Sequence, residues 1–108
     1  MQCPEHAVPL HLTNTRYGVR GACPVDGCTV VGWDGPTSTP ADAVTRTLRR
    51  EAHDSFDPLW KNVRERSALY AELAAFLCLP VDYTHIGMFN AEQCRRVLLF
   101  CANKRKGL

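Results

Sequence analysis

Up to about residue 40 the apolar residues come in short alternations: Leu10 and Leu12, Tyr17 and Val19, then Val30, Val31 and Trp33. A period of two marks strands with one covered face. The pattern predicts a small β-rich module, with "TNTR" (13–16) as a hairpin connection and "DGPTSTP" (34–40) as a loop. From Thr39 the period lengthens. Thr39 reads as an N-cap, Pro40 as the first helical position, and Asp42 as the third, with Val44, Leu48 and Ala52 following at helical spacing. Asp57-Pro58 repeats the cap-plus-proline start for a short second helix carrying Leu59, Trp60 and Val63. Ser67 opens a third, with Leu69, Leu73, Phe76 and Leu77 on one face, and Pro80 stops it. Asn90 with Gln93 caps a fourth, whose apolar positions are Cys94, Val97, Leu98 and Cys101. The expected fold is α+β: an N-terminal β module over 1–38 packed on a domain of about four helices over 39–108. Trp60, Leu73, Phe76, Leu77, Val97 and Leu98 should form the helical core.

Length changes this picture at one end. The chain has 108 residues, and chains this short bury only about 60–70% of their unfolded surface. The β module, with few apolar residues, needs a staple. No run of eighteen apolar residues is present and no basic-then-apolar leader is visible, so no membrane span and a reducing cytoplasmic location are expected. There the six cysteines stay reduced, and closely paired ones more often hold a metal than a disulfide.

The staple is legible in "CPEH" (3–6) and "CPVDGC" (23–28). Two residues separate Cys3 from His6, sixteen separate His6 from Cys23, and four separate Cys23 from Cys28. A two-residue gap lets both side chains of a tight knuckle converge on one ion, and the intervening hairpin brings the second pair opposite. Three thiolates and an imidazole suit tetrahedral zinc in a closed structural site. His11 is the alternative fourth ligand, although it lies in an expected strand. Cys78, Cys94 and Cys101 occupy apolar helical positions and read as buried core thiols.

Two resemblances attach to these residues. "CPEH…YGVRGACPVDGC" resembles the zinc ribbon in the C-terminal region of bacterial type IA topoisomerases, over residues 3–33. "PADAVTRTLRREAHDSFDPLW" (40–60), "RSALYAELAAFL" (66–77) and "HIGMFNAEQCRRV" (85–97) are similar to a bacterial and phage family of zinc-finger-containing domains of unknown function. That family is expected to carry two cysteines in its first knuckle, where this chain has Cys3 and His6, and a shorter second pair. The resemblance implies the fold and the metal and leaves the activity open.

Charge suggests a surface. Residues 1–39 hold two arginines and three acids, whereas 40–108 hold eleven basic and eight acidic residues. Arg46, Arg49, Arg50 and His53 recur along the first helix, on the side expected to lie opposite Val44, Leu48 and Ala52. No acid follows Glu92, yet Arg95, Arg96, Lys104, Arg105 and Lys106 do. Such clusters neutralise phosphates, so the first expectation is a non-enzymatic module that contacts nucleic acid. The alternative is a phage-type interaction module that binds a host protein through Trp33 or Tyr17. His53 with Asp57, and His85, could form an acid–base pair, but Asp57 before Pro58 reads as a cap. No nucleophile elbow, phosphate loop or catalytic zinc motif is present, and no small-molecule substrate is expected.

Overall fold

The computed structural model describes residues 1–107. Its N-terminal sheet has the order β1 (His11–Thr15), β2 (Gly18–Ala22), β3 (Val31–Trp33), all antiparallel. Thr15 pairs with Gly18, so the hairpin turns at Arg16-Tyr17. Thr13 to Thr15 of the expected connection belong to the strand instead. The turn falls later because Gly18, at φ 119, adopts a backbone that other residues rarely reach. One face of this sheet is flat at Gly32, where a Cβ would come within 2.8 Å of the Pro40 ring. Met1 and Leu10 lie beside it against Gly21.

Three α-helices follow: α1 (Ala43–Phe56), α2 (Val63–Leu77) and α3 (Ala91–Arg105). The expected four become three, and the expected starts of α1 and α2 both move. Thr39 and Pro40 do not start α1, because Ala41 exchanges two backbone hydrogen bonds of 3.0 Å with Val31 and stays extended. Asp42 is the N-cap, accepting from Thr45 N at 2.8 Å. Asp57–Leu59 forms a single 3₁₀ turn and Trp60 returns to an extended conformation. Asn62 then caps α2 by accepting from Glu65 N at 2.9 Å, which leaves Ser67 inside the helix. Asn90 and Gln93 form the expected reciprocal capping box on α3.

Asp42→Ala should cost about 0.5–2 kcal/mol, the usual value of an N-cap. The hydrogen bond from Thr45 holds the Asp42 carboxyl below its ordinary value. Its contribution is therefore complete above the unfolded carboxylate range and is lost as pH falls through the lowered value. Thermal melts should show the wild-type advantage at neutral pH and a narrowing gap in acid.

α1 and α3 run side by side in the same direction. Arg49, midway along α1, donates from Nε to Phe89 O (2.7 Å) just before α3, and Arg105 binds Ser55 at the C-terminal ends of both helices. α2 runs antiparallel to α3, with Arg96 donating to Phe76 O and Lys104 paired with Glu72. Between them lies a core of Ala52, Phe56, Leu69, Leu73, Leu77, Ile86, Phe89, Cys94, Val97, Phe100 and Cys101. Leu73, Leu77 and Val97 are buried as expected, Trp60 and Phe76 flank this core partly buried, and Leu98 is half-buried outside it. Cys78 departs from its expected place: it is exposed, in a left-handed conformation (φ 57) that ends α2. A separate small core of Cys3, Leu10, Cys23 and Val30 lies in the N-terminal module.

Candidate metal centre

Two tight loops build the site. In the first, Cys3 N donates to Val8 O (2.9 Å) and Ala7 N to Cys3 O (2.8 Å), while Ala7 takes a left-handed φ of 55° that folds the chain back after His6. In the second, Cys28 N donates to Val25 O and Cys23 N to Val30 O, both at 3.1 Å. The β1–β2 hairpin joins the two loops, which is how residues far apart in sequence face each other.

The result is a cluster of Cys3, His6, Cys23 and Cys28, with one ligand atom from each lying within 4.8 Å of all the others. His6 Nδ1 is 3.6 Å from both Cys3 Sγ and Cys23 Sγ, and Cys3 Sγ is 3.8 Å from Cys28 Sγ. These separations can be checked against zinc. With Zn–S about 2.3 Å and Zn–N about 2.0–2.1 Å at tetrahedral angles, sulfurs stand about 3.8 Å apart and sulfur–nitrogen pairs about 3.6 Å. The donor set fits the ion. His6, not His11, completes it: His6 lies in the cluster, whereas His11 sits on β1 opposite Ala22 and outside it.

The electrostatics point the same way. Burial works to raise the Cys3 thiol, but hydrogen bonds from His6, the knuckle backbone and Cys23 together bring it down to about 7. At Cys28 a backbone hydrogen bond involving Val30 favours ionisation, yet burial and the neighbouring Cys23 and Cys3 thiols push it up to about 11. Three thiols this close cannot all ionise without a cation among them, and a divalent ion removes that conflict.

The basic residues singled out in the sequence are placed less uniformly. Arg49 is half-buried and clamps the linker to the 86–89 turn, donating to Phe89 O, Thr39 O and Thr39 Oγ1 at 2.7–2.9 Å. Burial lowers its pKa. Arg46 donates to Ala41 O and to Thr29 O (2.8 Å), tying α1 to the β module. Arg96, Lys104 and Arg105 bind groups on neighbouring helices. Arg50, Arg95 and Lys106 are exposed and make no such contact among the described residues. Val44, expected opposite the arginines on the buried side, is 63% exposed. The buried stripe of α1 runs through Ala52 and Phe56, and Arg49 sits beside it.

A different grouping emerges on the sheet. Thr13, Arg20 and Trp33 are direct cross-strand partners, so their side chains share one face, opposite the one covered by Met1, Leu10 and Pro40. Thr13 is exposed, Arg20 and Trp33 are half-exposed, and His11 lies on the same face. At the hairpin tip Tyr17 is 74% exposed, with the Arg16 guanidinium 4.9 Å from its ring centroid. A signal for this surface was present in the sequence: no acid occurs between Glu5 and Asp26.

No curated protein and no solved structure matches the chain. A family model described as a zinc-finger-containing domain matches residues 15–104, taking in Cys23 and Cys28, the sheet from the end of β1, and nearly all of the helical part. Cys3 and His6 precede the matched span, and the geometry brings them onto the two cysteines within it. With this match and this ligand set together, the chain belongs to the family of zinc-finger-containing domains.

Proposed function

We propose that the protein is a zinc-stabilised, non-enzymatic module that binds single-stranded nucleic acid on the open face of its sheet. The observation that carries this reading is the Thr13–Arg20–Trp33 row, flanked by His11 and followed by Arg16 and Tyr17 at the hairpin tip. Unpaired bases expose π-faces that stack on indole and phenol rings, and the guanidinium groups neutralise the phosphates between them. The metal holds both ends of the hairpin, so the row is rigid before a ligand arrives. Arg50, Arg95 and Lys106 remain available as supplementary phosphate contacts. Arg46 and Arg49 serve mainly to fasten the module to the helices.

Binding should weaken as salt rises, and Arg20→Ala should shallow the log–log slope by about 0.7 for a single strand. Trp33→Ala should cost about 1–3 kcal/mol if one base stacks there. Fluorescence anisotropy with single- and double-stranded probes at two salt concentrations measures both. Affinity weaker than about 100 µM at low salt, below ordinary non-specific binding, would contradict the reading. The same aromatic face suits a protein partner as the second reading. In that case Trp33→Ala and Tyr17→Ala abolish capture of one nuclease-resistant protein, and salt has little effect.

A further inference from the structure

The helical part holds a second concave site, remote from the metal. A cleft of about 550 Å³ opens where α1 and α2 meet the 81–87 segment, with Thr37 of the linker at its edge. The three sequence stretches that carry the family resemblance meet there, supplying His53, then Arg66, Ser67 and Tyr70, then His85 and Gly87. Gly87 lets the linker pass: a Cβ would come within 2.6 Å of Thr37 O. Thr39 N donates to Gly87 O at 3.2 Å, which fixes that wall.

The lining is rich in donors. His53 and His85 are half-buried, and their rings make no hydrogen bond to other protein groups among the described residues. The Arg66 guanidinium lies 4.8 Å from the Tyr70 ring centroid and 5.7 Å from that of Trp60, and it forms no ion pair among the described residues. Asp82 is the one acid in the lining. The Asp57 carboxylate nearby instead accepts from Trp60 Nε1 at 3.3 Å. Arg66 is the one arginine or lysine of the lining, with two imidazoles free of protein partners beside it, and a guanidinium fork suits phosphate. The volume is several times that of bare phosphate and falls in the range of small-molecule sites. Val81, 55% exposed, adds an apolar edge, while the Tyr70 ring is engaged by Phe56 and Arg66.

We propose that this cleft binds a phosphate carried on a nucleotide, with Arg66, His53 and His85 on the phosphate and the exposed Val81 side chain toward the base. The phosphate has two possible sources, a free mononucleotide or the 5′-phosphate of a strand. The proposal does not depend on the sheet face, since the two surfaces share no residue. The test is NMR titration of the intact zinc-loaded protein with adenosine 5′-monophosphate, adenosine, and a short oligonucleotide with and without a 5′-phosphate.

The proposal expects the His53 and His85 ring resonances to shift with adenosine 5′-monophosphate and hardly at all with adenosine. Arg66→Gln should weaken this binding at least about tenfold, a usual effect of losing a charge-assisted phosphate contact, with zinc content and fold unchanged. Arg64→Gln, at an exposed position of α2 outside the lining, should have no effect. If the phosphorylated oligonucleotide shifts the same rings more tightly than the mononucleotide, the strand end is the source; the reverse order identifies the free nucleotide. Trp33→Ala should leave this titration intact, which separates failure here from failure of the sheet-face reading. Absence of ring shifts at millimolar adenosine 5′-monophosphate, or equal binding by Arg66→Gln, overturns the proposal.

Discussion

Cys23→Ser empties the metal site and unfolds residues 1–35, while the three helices stay in place. Cys23 Sγ sits 3.6 Å from His6 Nδ1 and belongs to the small core with Cys3, Leu10 and Val30. A serine hydroxyl does not replace a thiolate on zinc at neutral pH. The free energy at stake is large, because structural zinc contributes about 10–16 kcal/mol of apparent binding energy to small fingers near pH 7. The N-terminal core has too few apolar side chains to fold without it. Elemental analysis should fall from about one zinc per chain to near none. Amide dispersion should collapse for the β module, and far-ultraviolet circular dichroism should keep its helical bands. Cys78→Ser is the control: that thiol is exposed at the end of α2 and should leave the metal in place. Loss of the helical bands together with the metal would refute the two-core description.

Phe56→Ala should have the complementary effect. Phe56 is fully buried, with its ring centroid 4.6 Å from Tyr70 and 6.5 Å from Phe100, and it joins α1 to both other helices. Removing such a ring costs about 3–5 kcal/mol, through lost transfer energy and the cavity left behind. Against a usual total of about 5–15 kcal/mol, that is a large share of the stability. Urea denaturation should show a much lower midpoint for the helical signal, with zinc still bound under native conditions. A loss below about 1 kcal/mol would mean that the core closes over the cavity.

What was legible in the sequence was mainly local or chemically distinctive. Cys3, His6, Cys23 and Cys28 could be found from spacing because a tetrahedral ion demands particular residue types at tight intervals. The Asn90–Gln93 box was readable because its partners lie three residues apart. Asn62 and Glu65 have the same spacing, but Ser67 is an equally plausible start in the sequence, so α2 reads as parts of two expected helices. Other differences come from contacts distant in sequence. Ala41 pairs with Val31 across the sheet, which overrides the helix start at Thr39-Pro40. Ile86 and Phe89 reach the core from an irregular segment that carries no period. The spacing of Arg49 with Arg46, Arg50 and His53 places it on the side of α1 expected to lie opposite Val44, Leu48 and Ala52. Three oxygens on Thr39 and Phe89 make its half-buried place tolerable.

The central claim is that one zinc, held by three sulfurs and the His6 imidazole, organises the N-terminal module. X-ray absorption at the zinc edge of the purified protein tests it most directly. The account predicts three sulfur scatterers at about 2.3 Å and one nitrogen at about 2.0–2.1 Å. In His6→Ala the nitrogen contribution should vanish, and in His11→Ala it should remain. A four-sulfur shell, a shell dominated by oxygen, or a folded β module free of metal would contradict it.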